Sequence, residues 1–241
     1  MTTRVELRSY RSVDRNFTLS RVLEVTDQPL KLPLKNGGEI TVYPRILSKD
    51  ARQAILEELD SSNLFRQYEV QQSPEPRAHF LLHQDATDDL ENEGQPGYRY
   101  GSVVMKAFPL HWLPRMKKLS HAMASLFGVD KWSIGVNPVY YRDGKDRIGV
   151  HADDAQDETF IATAILCSPE ENRPILVRPF QRRTGKDGRA RARKITSQDK
   201  QFVHQEGEEE YCLHLFPGDV YTMNSTLFLI RRAVLTGTEP V

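Results

Sequence analysis

The chain has 241 residues, and its 33 Lys and Arg balance 33 Asp and Glu, so its formal net charge is zero. Hydrophobic residues at 39% and charged residues at 27% exclude wholesale disorder and suit one large globular domain, with or without an N-terminal extension. No overall charge draws it to nucleic acid or membrane, and no apolar run approaches the roughly 20 residues a bilayer crossing needs.

Residues 1–20 are polar and without clear period, which predicts a flexible leader; their charge does not fit a secretory signal. Residues 21–70 read as an N-terminal extension. Within it, a β-hairpin is expected around Asn36-Gly37-Gly38, where Ile40, Val42 and Tyr43 follow the turn. From Ser48, SKDARQAILEELDSSN predicts a helix, with Ser48 as N-cap, Asp50 in the first turn and a stripe of Ile55, Leu56 and Leu59.

Residues 71–241 read as the main domain. It opens with a loop-rich stretch to residue 101, carrying prolines, glycines and an acidic centre. HWLPRMKKLSHAMASLFG then predicts an amphipathic helix: Leu113, Met116, Leu119, Met123 and Leu126 recur at helical steps and Gly128 is placed to end it. From Trp132 the texture turns to β, with WSIGVNPVYY, FIATAILC, RPILVRPF, YCLHLF and DVYTMN as short apolar or alternating runs. Strands at such intervals predict a barrel or double-sheet jelly roll. The fold class is therefore α+β, helices early and a β-core late. Cys167 and Cys212 are far apart and lack metal spacing, so ordinary reduced thiols are expected.

The chemistry concentrates in DRIGVHADD, residues 146–154. His151 and Asp153, two apart on a strand, share a face. Such a pair can grip a metal, share a proton or stand in a solvated loop. Two imidazoles and a carboxylate on one face of a ferrous ion leave positions open for a bidentate co-substrate and dioxygen.

The longer stretch NPVYYRDGKDRIGVHADD resembles the AlkB-like family of 2-oxoglutarate and Fe(II)-dependent dioxygenases, closest to its DNA-repair branch. The resemblance extends through PRAHFLLHQD and YRYG upstream and RPILVRP and GDVYTMN downstream, covering most of residues 74–224. It implies a double-stranded β-helix core, Fe(II) and 2-oxoglutarate as cofactors, and an N-alkylated base in DNA or RNA as substrate. His151 and Asp153 match the first two iron ligands, and Tyr141 matches a tyrosine that touches 2-oxoglutarate. The family's co-substrate asparagine falls at Val139 here, with Asn137 the nearest substitute. Asp154 matches an acidic residue beside the damaged base, while Ala155 stands where the repair branch commonly has glutamate. Tyr98, Arg99 and Tyr100 match a loop beside the substrate pocket, where an aromatic either stacks on an extruded base or packs the loop.

The family's third ligand lies beyond the strand matching GDVYTMN, and no histidine follows Asn224. His214, in YCLHLF, is the candidate substitute; His204 falls in a polar loop. Arg231 and Arg232 are adjacent, whereas the family's two terminal arginines stand six apart. The expectation is that the last core strands are lost after residue 224, by truncation or splicing, or that the chain is a non-catalytic relative.

Arg182, Arg183, Lys186, Arg189, Arg191, Arg193 and Lys194 face a single acid, Asp187, within residues 181–194. Such a patch suits several phosphates; a solvated hairpin, neutralised by the glutamates at 206–210, is the alternative. The functions in contention are an oxidative demethylase of nucleobases, an impaired scaffold that binds nucleic acid, and a dioxygenase acting on protein. A monomer in nucleus or cytoplasm, with no membrane partner, is expected.

Overall fold

The computed structural model describes residues 2–5, 23, 28–33, 39–70, 73–100, 103–129, 133–142, 146, 160–168, 175–179, 183–184, 190–191, 210–224 and 228–231. Its first elements are β1 (Thr2–Val5), β2 (Leu30–Pro33) and β3 (Glu39–Tyr43). β2 and β3 pair antiparallel from Pro33↔Glu39 to Leu30↔Val42, so the hairpin is present; its Asn36-Gly37-Gly38 turn lies outside the described residues. Helix α1 (Lys49–Ser62) starts where expected: the Ser48 hydroxyl accepts the Ala51 N–H at 3.1 Å. It stops at Asn63, whose φ of 53° is left-handed.

Two-residue strands then follow: β4 (Glu69–Val70), β5 (Ser73–Pro74), β6 (Ala78–His79) and β7 (Leu82–His83). β8 (Gly97–Tyr100) and β9 (Val103–Lys106) form an antiparallel hairpin, and β10 (Phe108–Pro109) leads into a 3-10 turn at Leu110–Trp112. Helix α2 (Pro114–Leu126) begins with proline, whose missing N–H costs nothing at that position. Its terminus is marked by Gly128 at φ 68°.

The rest is β: β11 (Gly135–Val136), β12 (Val139–Tyr140), β13 (Phe160–Ala164), β14 (Ile175–Pro179), β15 (Arg183–Thr184), β16 (Ala190–Arg191), β17 (Glu210–Leu213), β18 (Val220–Asn224) and β19 (Phe228–Arg231). Two four-stranded sheets dominate, in the orders β13-β18-β3-β2 and β1-β17-β14-β19. Only β1 runs parallel to its neighbour within them. The architecture is a mixed α and β fold with few helices and several antiparallel sheets.

One apolar core lies between these sheets. Ile40, Val42, Tyr221 and Met223 enter it from the first, and Ile175, Val177 and Leu213 from the second. Strand alternation sends the intervening residues to the opposite face. There Val220, Tyr43, Ala162 and Ala164 meet Ile55 and Leu59 of α1 and Met116 and Leu119 of α2. The helical stripes read from the sequence thus cover the outer face of the first sheet, whose register aligns Val220↔Tyr43 and Tyr221↔Val42.

A turn at Phe216–Asp219 ties these layers together. Gly218, at φ 102°, donates its N–H to Ile165 O at 2.7 Å and accepts the Leu47 N–H at 3.0 Å. The Asp219 carboxylate accepts the Arg45 and Phe216 N–H groups, each at 2.8 Å. Burial pushes the Asp219 carboxyl above the usual carboxylate range, with these two hydrogen bonds opposing. Nearby, Arg52 of α1 donates to Leu166 O at 3.0 Å.

Two further strands lie outside the runs read as strands from the sequence. Inside the expected leader, Thr2–Val5 pair in parallel with β17. After Asn224, where core strands were expected to be lost, Phe228–Arg231 pair antiparallel with β14, from Pro179↔Phe228 to Leu176↔Arg231. Both strands take edge positions, where a short β-prone run satisfies ladder hydrogen bonds that β14 and β17 would otherwise leave open. Such pairings join residues far apart in sequence and leave no local pattern. Among the described residues, no helix is long and apolar enough to cross a membrane.

Candidate active site

The motif region is anchored by β6 and β12, which pair antiparallel with Val139↔His79 and Tyr140↔Ala78. Tyr141, directly after β12, is fully buried at 0% exposure. Asn137, before β12, is exposed. Burial raises the Tyr140 phenol above its ordinary pKa, helped by Asp60, Cys167 and Asp146 and opposed by Arg142.

Arg142 and Asp146 form a two-pronged ion pair. Arg142 Nε donates to Oδ2 and Nη2 to Oδ1, both at 2.9 Å, and the Arg142 backbone N–H adds a third bond to Oδ2 at 2.8 Å. The carboxylate is buried while the guanidinium is about half exposed. A fork of this kind fixes direction as well as distance.

A second ionic group lies one strand away. Glu75, Arg77 and His79 are all buried. Glu75 Oε1 accepts from Arg77 Nε and Nη2 at 3.3 Å, while its Oε2 lies 2.6 Å from His79 Nε2. Bonds among the three groups offset part of the cost of burying them. The Tyr68 ring meets His79 edge-on at 5.0 Å, and burial raises the Tyr68 phenol pKa. Gln67 connects the two ionic groups: its Nε2 donates to Glu75 O at 2.6 Å and its Oε1 accepts from Arg142 Nη1 at 3.4 Å.

Tyr98 sits on β8, 43% exposed, opposite Met105 of β9. Arg99 and Tyr100 occupy the next positions of β8, opposite Val104 and Val103. His214 is half-buried between Leu213 and Leu215, and those two leucines take the core positions. Arg183 and Arg191 lie directly opposite in the β15–β16 pair. His151, Asp153, Asp154, Arg182, Lys186, Arg189, Arg193 and Lys194 fall outside the described residues.

The 2OG-Fe(II) oxygenase superfamily model matches residues 39–226, well over half of the chain and the whole of the HxD stretch. The chain belongs to the 2OG-Fe(II) oxygenase superfamily. Its cofactors are Fe(II) and 2-oxoglutarate, and its reaction class is that of a dioxygenase. No curated protein matches the chain. The oxygenase match begins at the first residue of β3 and ends just after β18. It therefore takes in the central pair of the first sheet, both helices and the Tyr141–Asp146 segment.

The donor set fits a ferrous ion in kind: imidazole and carboxylate are ligands this metal accepts, and His151 and Asp153 supply one of each. Among the described residues, no group of three or more His, Cys, Asp or Glu side chains is arranged to hold a metal. The residues that sequence reasoning missed are Gln67, Glu75 and the Arg142–Asp146 pair. A signal existed for the last: opposite charges four apart, bracketing an Asp-Gly dipeptide.

Proposed function

We propose that this oxygenase is an AlkB-like demethylase that removes N-alkyl groups from nucleobases in DNA or RNA, as in dealkylation repair. The observation that carries this reading is NPVYYRDGKDRIGVHADD, lying inside the superfamily match. On this reading the two facing sheets are a double-stranded β-helix core. His151 and Asp153 hold the iron, Tyr141 contacts 2-oxoglutarate with Asn137 nearby, and Asp154 faces the base. Tyr98, Arg99 and Tyr100, on the β8–β9 hairpin, stand beside the extruded base, which an aromatic can stack upon.

Fe(II), with 2-oxoglutarate and O2, supplies hydroxylation of the N-alkyl carbon; the resulting hemiaminal releases an aldehyde and leaves the free base. The protein's own part is to hold the cofactors, exclude water and present the base. Buried Tyr141 suits a contact made away from solvent. The basic residues at 181–194 supply sequence-independent attraction to phosphates. The protein acts as a monomer in nucleus or cytoplasm.

Incubation of the purified chain with Fe(II), 2-oxoglutarate and an N-methylated single-stranded oligonucleotide tests the reading. Formaldehyde and succinate released in equal amounts, and absent with unmodified oligonucleotide, are expected. Turnover only on a methylated peptide would move the substrate to protein. A second reading, an impaired scaffold that binds nucleic acid, draws on the two histidines after Asp153, His204 and His214, both preceding the matched G-D strand. It is supported if the oligonucleotide binds and Fe(II) does not.

A further inference from the structure

Tyr221 of β18 carries a hydroxyl for which the described residues offer no acceptor. The side chain is 1% exposed, and among the described residues its Oη, closed off from water, has no hydrogen-bond partner. The side chains clustered with it are apolar: Ile40, Val42 and Met223 from its own sheet, and Ile175, Val177 and Leu213 from the second. A phenylalanine would fill the same volume without the cost of stripping a hydroxyl of water. A buried donor of this kind points to an acceptor that the protein takes up. The register adds a second hydroxyl. Thr163 of β13 lies directly opposite Tyr221, and so on the same face of the sheet. β13 stands at the sheet's edge and Thr163 is half-buried, so the row from Val42 through Tyr221 to Thr163 turns polar toward that edge.

2-Oxoglutarate, the co-substrate of the superfamily, has the matching chemistry. Its 2-oxo acid end chelates a metal, which leaves two methylene groups and a second carboxylate. Methylene groups suit apolar walls, and a carboxylate taken out of water needs a donor. We propose that Tyr221 is a co-substrate-binding residue: its O–H donates to the far carboxylate of 2-oxoglutarate, with the Thr163 hydroxyl beside it on the same face. A hydrogen bond from a hydroxyl to a carboxylate is among the strong ones. This role rests on the use of 2-oxoglutarate and is independent of which substrate is oxidised.

Calorimetric titration of the full-length chain with 2-oxoglutarate and with 2-oxopentanoate tests the role, alongside thermal unfolding. The second acid has the same length and carries a methyl group in place of the far carboxylate. Mn(II) replaces Fe(II), so that no turnover intervenes. The unaltered chain is expected to bind 2-oxoglutarate in the micromolar range. Tyr221→Phe is expected to bind it about tenfold or more weakly, the loss of one hydrogen bond to a charged group, and to bind 2-oxopentanoate as before. Its Tm without ligand should equal or exceed that of the unaltered chain. Tyr43→Phe, on the helical face of the same sheet, should change neither affinity. Should Tyr221→Phe not fold, Thr163→Val is expected to weaken 2-oxoglutarate several-fold and leave 2-oxopentanoate unchanged. Unaltered 2-oxoglutarate affinity in the variant that folds overturns the role. So does an equal loss for both acids, or in Tyr43→Phe, because packing alone would then explain it. A lower ligand-free Tm in Tyr221→Phe overturns it as well, by giving the hydroxyl a bond within the fold. No 2-oxoglutarate binding by the unaltered chain overturns co-substrate use by this chain together with this role.

Discussion

The carboxylate of Glu58 caps a helix other than its own, accepting the Met116 N–H at 2.8 Å through one oxygen and the Arg115 N–H at 2.9 Å through the other. Helix α2 has no side-chain acceptor at its own N-cap, which is Leu113. An anion from α1 therefore fills the place, and the positive end of the α2 dipole favours it. Arg115 Nη1 closes the contact by donating to Ala54 O at 2.7 Å. Glu58→Ala is expected to cost about 1–2 kcal/mol in urea unfolding, the range for losing an N-cap acceptor. Glu58→Gln, which keeps one acceptor oxygen, should lose less. Equal stability of Glu58→Ala and the unaltered chain would show that solvent replaces the cap.

Gly218→Ala tests the turn that joins the layers. A Cβ at Gly218 would meet Leu47 O at 2.8 Å, on a backbone already at φ 102°. Neither the carbonyl nor the turn can move without breaking the Gly218–Ile165 and Leu47–Gly218 bonds. A loss of about 2–3 kcal/mol is expected, the sum of left-handed strain and displaced hydrogen bonds. Gly128→Ala is the contrast: nothing lies within 4 Å of its Cβ position, so only the left-handed strain, about 1 kcal/mol, should appear.

The Cys167 thiol supplies a pH-dependent readout. Burial pushes its pKa up from 9.0 to about 11, against the pull of Arg52. A raised pKa favours the protonated form in the fold, so its contribution to stability is full below pH 9 and is lost as pH climbs through about 11. In a Cys212→Ser background, alkylation at pH 8 is expected to run about a hundredfold slower in the folded chain than after unfolding, following the thiolate fraction. Equal rates in the two states would place the thiol in open solvent.

Local chemistry was legible in the sequence and long-range pairing was not. Ser48 and the Ile55/Leu59 spacing announced α1, and the Leu113–Met123 stripe with Gly128 announced α2, because caps and periodicity act within a turn or two of chain. The runs from FIATAILC to DVYTMN each yielded a strand. Which strands share a sheet was hidden: β13 joins β18 and β3 while β17 takes β1 and β14, and nothing in a single run selects its partner. The site divides the same way. Tyr141 and Asn137 could be named from their place in the motif as the proposed co-substrate contacts, whereas Gln67 and Glu75 bond across a strand pair and carry no spacing that would single them out.

The first sheet is covered on both sides, by the helices on one face and by the second sheet on the other. Polarity alone therefore cannot tell its strands which way to face. Bulk can: β18 turns Tyr221 and Met223 toward the second sheet and Val220 and Thr222 toward the helices, while β13 offers Ala162 and Ala164 on that same helical side. A slip of one residue would drive the two large side chains against α1 and α2 and leave a void between the sheets. The register of this sheet is written in side-chain volume.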